Sequence, residues 1–254
     1  MALLEVRGLG KAFGGVLAVQ DVSFAVEAGL VYSVIGPNGA GKTTLFNLIT
    51  GIYQPSGGDI RFDGRSIVGQ PPHRLASLGI ARTFQNLQVC MNMSARENVM
   101  VGAHLSLDRN LLKAMMRWPA LRRSDQVLST RAGELMSYVG LDGYVTSSAG
   151  AMPYGALKRL EIARALAARP RLLFLDEPAA GLNPTETAEI DALIRRIADQ
   201  GVTVVLVEHD MKMVMNISDR ILVLDYGKKL AEGSAAEVRA NPEVVAAYLG
   251  ANHG

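Results

Sequence analysis

The residues whose types and spacing are most suited to chemistry lie in GPNGAGKTT at 36–44. Gly36, Gly41, Lys42 and Thr43 fit the pattern G-x-x-x-x-G-K-[ST]; Pro37, Asn38, Gly39 and Ala40 form the loop between them, and Thr44 follows. Glycines let the chain turn tightly enough for successive N–H groups to converge on an anion, at the start of a helix whose dipole favours negative charge. Lys42 adds a point charge for β- and γ-phosphates, and the Thr43 hydroxyl can ligate Mg2+. Thr44 can donate a further hydrogen bond to a phosphate. A chance glycine-rich turn would lack a buried strand before it and a helix after it. Both are legible here. LVYSVIG at 30–36 is a short apolar run ending in glycine, and Leu45, Leu48 and Ile49 form one apolar stripe after Lys42. The motif points to nucleotide binding without naming a reaction.

A second group stands in RLLFLDEP at 171–178. In parallel sheets ligands gather at the carboxyl ends of strands, which is where Asp176 and Glu177 fall. Asp176 can orient Mg2+, usually through its waters. Glu177 can polarise an attacking water, and Pro178 ends the strand because it cannot donate to the ladder. Alone, two such carboxylates read equally well as a solvated loop. Beside the phosphate loop they complete a Mg·ATP site. His209 follows the apolar run of VTVVLVEHD and falls on the same sheet edge, where it can contact a γ-phosphate or hold the water. Asp210 reads as the N-cap of the next helix. Gln85, in ARTFQN, can bind Mg2+ or water when nucleotide is present, although most glutamines are only surface residues.

The elements that must position these groups follow from periodicity. LLEVRGL and VLAVQDVSFAV read as strands, and GDIRFDGRSI as a hairpin turning at Asp63-Gly64. Over 87–150 strand signals vanish and helical spacing dominates. Met91, Met93, Met100, Met115, Met116 and Met136 lie there, expected to fill a helical core, with an adaptable docking surface as the other reading. Arg117, Arg122, Arg123 and Arg131 are expected on a solvated face. After 150 the chain alternates again: a helix from about 155 to 168, the strand RLLFLD, a helix from Pro184 to about 200, the strand VTVVLVEH and a helix near Asp210. ILVLDYGKKLAEG is read as a hairpin turning at Tyr226-Gly227, and the last helix runs from Pro242 to about Leu249. The expected fold is α/β with a mostly parallel sheet, an N-terminal antiparallel β subdomain and a helical subdomain. The expected division of one domain over 1–254 is 1–86, 87–168 and 169–254.

Bulk composition narrows the function. The 254 residues are 49% hydrophobic and 20% charged, an ordinary globular balance. A net charge of +2 gives no argument for nucleic acid, and none is expected as a partner. The single cysteine, Cys90, excludes an internal disulfide, fits a reducing cytosol and is expected to be a small buried residue. The N-terminus has no signal-peptide pattern, and no apolar run approaches the roughly 20 residues of a membrane helix. Work at a membrane would therefore go through a partner.

Taken together, Phe13, GPNGAGKTT, Gln85, YGALKRLEIARAL, LLFLDEP, GLNP and His209 resemble an ABC-type ATPase domain, in order and over nearly the whole chain. The finer resemblance, in FGGVLAVQDVSF, ARTFQN, LEIARAL, DEPAAGLNP, VEHDMKMVMNISDRI and NPEVVAAYLG, is to the LivG-type ATP-binding subunit of bacterial branched-chain (hydrophobic) amino-acid importers. This resemblance implies a P-loop NTPase core, ATP and Mg2+ as ligands, and ATP hydrolysis coupled to transport. It implies a head-to-tail dimer with itself or a second ATPase subunit, two membrane permeases, and indirectly an external substrate-binding protein. The expected location is the cytoplasmic face of the plasma membrane. By the resemblance Phe13 stacks on adenine, Glu177 is the general base, His209 senses the γ-phosphate, and Thr43, Gln85 and Asp176 hold Mg2+. Pro153, Tyr154 and Gly155 occupy the signature segment that meets the opposite subunit's ATP. There Pro153 replaces the family's serine, Tyr154 its first glycine and Ala156 its glutamine, which leaves a divergent working signature and a purely structural helix both open. Asn183 reads as an N-cap with Pro184 and Glu186, and as an intersubunit contact by resemblance. A related transporter with urea or lipopolysaccharide as cargo, or a soluble ABC protein acting on DNA or ribosomes, remain the alternatives.

Overall fold

The computed structural model describes residues 2–103 and 118–250. Three strands read from apolar runs, β3 (Val31–Ile35), β7 (Leu172–Asp176) and β8 (Thr203–Val207), are buried at every position. Strands without polar alternation need cover on both faces, so they take the middle of a sheet. The sheet has six strands in the order β10-β9-β3-β8-β7-β6, where β6 is Ile80–Arg82, β9 Arg220–Asp225 and β10 Lys228–Gly233. Its pairings are parallel except β9–β10. That pair is the expected hairpin: Asp225 opposes Lys228 across Tyr226-Gly227, both with positive φ, as a two-residue primed turn requires.

The N-terminal half adds an antiparallel sheet of β2 (Val16–Glu27), β1 (Ala2–Phe13), β4 (Gly57–Phe62) and β5 (Arg65–Ser66), in that order. The Asp63-Gly64 turn joins the last two. Between the two sheets runs α1 (Lys42–Ile49), with Leu45, Phe46, Leu48 and Ile49 buried. Phe46 meets Phe174 of β7 edge to face at 5.1 Å, and both are fully buried. Phe46→Ala is expected to cost about 3–5 kcal/mol of stability, read as a lower urea midpoint with an unchanged slope.

The helical part contains α3 (Ala95–Gly102), α4 (Trp118–Tyr138) and α5 (Tyr154–Ala167). Ser94 and Glu97 form a capping box at α3. The methionine expectation is only partly met. Met136 is fully buried and Met100 packs against the same core, but Met91 and Met93 are exposed. Those two precede the Ser94 cap, on non-helical chain whose carbonyls accept from the Gly150 and Ala149 N–H groups, so helical spacing does not govern them. Met115, Met116 and Arg117 lie outside the described residues. Arg131 is half-buried rather than solvated, and burial beside Arg169 lowers its pKa. Cys90 is half-buried, with its backbone bonded to the Asn98 amide.

The remaining helices are α6 (Pro184–Asp199), α7 (Met211–Ile217), α8 (Ala235–Ala240) and α9 (Pro242–Gly250). Periodicity missed α8, β6 and a helix α2 (Pro72–Ser77), which have six, three and six residues and are too short to show a repeat. No helix among the described residues is long and apolar enough to cross a membrane.

Candidate functional site

The phosphate loop leaves β3 at Gly36 and enters α1 after Gly41. Gly36 has φ 152°, and a Cβ there would overlap the Leu224 carbonyl of β9. Gly41 has φ 96°, and a Cβ there would lie 2.5 Å from the Ala18 carbonyl of β2. Only glycine fits either place. The hairpin turn of β9–β10 supports the loop, since the Gly227 N–H donates to the Ala40 carbonyl at 3.0 Å. Sequence reasoning placed that turn correctly but gave it no role at the site. No side chain caps α1, so its N-terminal N–H groups face the loop. Lys42 Nζ donates to the carbonyls of Gly36 (2.6 Å) and Pro37 (2.9 Å), and burial lowers its pKa against the pull of Glu177. A cleft of about 560 Å3 opens over Asn38–Thr44, with Gln85 and Glu177 across from the loop.

Glu177 follows β7 with φ 48°, a left-handed conformation uncommon outside glycine. Such strain persists where surroundings over-determine it. Here the Glu177 N–H donates to the Val207 carbonyl at 2.9 Å, and its own carbonyl accepts from Lys158 Nζ of α5 at 3.3 Å. The side chain meets both other catalytic candidates. Gln85 Nε2 donates to its Oε2 at 3.1 Å, and His209 Nδ1 lies 4.0 Å from its Oε1. Gln85, Glu177 and His209, separated by up to 124 positions, thus converge at one end of the sheet. His209 keeps a side chain 65% exposed, with Nδ1 also 3.7 Å from Glu208 Oε2, and does not itself line the cleft. Its backbone is held by Glu208, which is buried and accepts from the Ala179 and His209 N–H groups at 3.0 Å each. Asp210 caps α7 as expected, accepting from the Lys212 and Met213 N–H groups. Glu208 and Lys158 were missed, for nothing local separates a buried structural ion from the charges beside it.

Asp176 is buried at the end of β7. Arg82 of β6 donates from Nη2 to its Oδ2 at 2.8 Å, a contact the sequence did not reveal. The Asp176 N–H donates to Thr83 Oγ1 at 3.3 Å. Among the described residues no group of three or more His, Cys, Asp or Glu side chains is placed to hold a metal ion. The chemistry of one carboxylate at the strand end and one threonine hydroxyl at the start of α1 suits Mg2+ that brings its remaining ligands as phosphates and water, although Asp176 itself does not line the cleft.

Phe13 ends β1 away from the cleft lining, its half-exposed ring edge to face with Tyr53 at 5.3 Å and Lys11 Nζ 4.9 Å above it. In the signature segment Pro153 is the N-cap of α5 and offers no side-chain cap, and Tyr154 is exposed. Gly155 is buried against α6, where a Cβ would overlap the Glu186 carboxylate. Glu186 in turn completes the expected capping box with Asn183. Further along α5, the buried Glu161 accepts from the N–H groups of Phe84 (3.3 Å) and Gln88 (3.4 Å), and burial raises its pKa despite those bonds. Arg164 Nη1 donates to the Gln88 carbonyl. The signature helix therefore grips the segment that carries Gln85.

A phosphate loop between a parallel strand and a helix, with carboxylates at the adjacent strand end, defines a P-loop nucleotide-binding ATPase. The ABC transporter family model matches residues 19–180, and the model for the branched-chain amino acid ATP-binding cassette transporter matches 228–254. The chain belongs to the ABC transporter family. It is 50% identical to the high-affinity branched-chain amino acid transport ATP-binding protein BraF of Pseudomonas aeruginosa, and 43% to the corresponding LivG of Escherichia coli K12, over 98% of each chain in both cases. Among solved structures it is similar to a nucleotide-free ATP-binding cassette from an ABC transporter, with a TM-score of 0.85 and 30% identity over 98% of this chain and 99% of the other. An ADP-bound conformation of such a cassette matches equally well.

Proposed function

We propose that the chain is the ATP-hydrolysing subunit of an importer of branched-chain amino acids. The observation that carries this reading is the convergence of Gln85 and His209 on Glu177, with Gln85 and Glu177 lining the cleft over the phosphate loop. The cargo rests on the likeness to BraF and LivG. In this reading the loop N–H groups, Lys42 and Thr44 bind phosphates. Thr43, Asp176 and Gln85 hold Mg2+, which supplies charge neutralisation between the phosphates. Glu177 takes a proton from the attacking water, and His209 holds the γ-phosphate or that water. Phe13, whose half-exposed ring packs edge to face with Tyr53, stacks on adenine.

Two such chains, or this one and a second ATPase, would pair head to tail. The uncapped start of α5 at Pro153–Gly155 and the Asn183 turn would then face the partner's nucleotide. An apolar groove of about 330 Å3 lies between Ile52, Leu75, Ile80 and Phe84 on one side and α5 on the other. We assign it to a permease segment, because Phe84 is exposed there and directly precedes Gln85. Isolation from the native membrane should recover permease subunits, and the complex reconstituted in liposomes with its external binding protein should take up leucine, isoleucine or valine only with ATP. A complex whose ATP turnover responds to none of the three loses this cargo.

A further inference from the structure

We propose that Arg82 is a positioning residue that fixes Asp176 and α1 relative to each other, and so sets the geometry of the Mg2+ site. The inference rests on the Mg2+ reading of Asp176 given above. The Arg82 side chain is 8% exposed and that of Asp176 4%. While Nη2 binds Asp176 Oδ2 at 2.8 Å, Nη1 binds Asn47 Oδ1 at 2.6 Å and Thr50 Oγ1 at 2.8 Å. Asn47 lies in the last turn of α1, and Thr50 is its C-cap. Thr43, another of the proposed protein ligands, lies in the first turn of the same helix. One planar guanidinium thus ties together two of the elements that carry the ion's proposed protein ligands, the end of β7 and α1.

Its own placement is not left to the side chain. Arg82 pairs with Phe174 in the parallel ladder of β6 and β7, beside the strand end that presents Asp176. Its guanidinium carbon also sits 5.0 Å from the Phe84 ring and 5.8 Å from the Phe46 ring. Of the two carboxylate oxygens, Oδ2 is engaged, while Oδ1 takes no hydrogen bond from the described residues. Arg82 therefore decides which oxygen is left for the ion or its waters. A lysine keeps the charge but offers one compact donor group and cannot reproduce the planar fork that serves Asp176, Asn47 and Thr50 together. Partners that orient a metal ligand commonly alter metal affinity by about 10- to 100-fold when removed.

The test measures ATP affinity by calorimetry on the purified full chain, once with Mg2+ and once with excess EDTA. The ratio of the two reports coupling between the ion and the nucleotide. Arg82→Gln is expected to lower that ratio by about 10-fold or more while leaving the EDTA affinity within about 2-fold. A merely structural loss would weaken both affinities alike and leave the ratio intact. Arg82→Lys, which retains the buried charge and guards against a misfolded Gln variant, should lower the ratio by at least about 3-fold. Asp176→Asn separates the inference from its premise. If it lowers the ratio and a folded Arg82 variant does not, Arg82 has no positioning role. If Asp176→Asn leaves the ratio unchanged, the Mg2+ reading of Asp176 fails and the inference falls with it.

Discussion

Glu177→Gln is expected to reduce ATP turnover by about 10²- to 10⁴-fold, the range a positioned general base contributes. The replacement has nearly the same shape. It can accept the 3.1 Å hydrogen bond from Gln85 and sit at φ 48° as the glutamate does. What it lacks is a proton acceptor. The carboxylate lies across the cleft from Lys42–Thr44 and 4.0 Å from His209, the region in which a water attacking a γ-phosphate must be held. Nucleotide affinity should stay within a few-fold of wild type, since the loop is untouched. Phosphate release under saturating ATP measures the first effect and calorimetry the second. Turnover above about a tenth of wild type would remove Glu177 from the role of base.

Lys42→Ala acts on the other term. Here binding should weaken by roughly 10- to 100-fold, as expected for a charge-assisted hydrogen bond worth about 1.5–3 kcal/mol. Lys42 is the one lysine of the loop, and its ammonium holds the Gly36 and Pro37 carbonyls at 2.6 and 2.9 Å. Its loss would remove both the proposed phosphate ligand and a brace of the loop. The two variants should therefore dissociate, with Glu177→Gln binding and not turning over, and Lys42→Ala failing at binding. Wild-type affinity in Lys42→Ala would remove Lys42 from the role of phosphate ligand.

Much of the α/β core was legible because its signals are local. The loop at 36–44 carries its own glycine pattern, and the buried strands beside it are uninterrupted apolar runs. Asp63-Gly64 and Tyr226-Gly227 announce two-residue turns by the residues that tolerate positive φ. Asn183-Pro184 with Glu186, and Asp210, announce caps. The methionines misled where they sat on non-helical chain, since spacing predicts burial only inside a helix.

Sequence by itself determined the phosphate loop, the acidic strand end and the alternation that builds the sheet, because each depends on residues close in the chain. It also singled out His209 by its place after an apolar strand and, more weakly, Gln85, and the family pattern strengthened both. Tertiary structure decided what those residues touch. Arg82 meets Asp176 from 94 positions away, and Glu208, Lys158 and Glu161 turn out to be buried side chains that hold the backbone around the site. Gly155, read from sequence as part of a phosphate-contacting signature, also has a second reason to be glycine, the Glu186 side chain packed against it. A buried charge looks like a surface charge until its partner arrives from another element. Only folding brings that partner within hydrogen-bond range, where leaving either group unpaired would be costly.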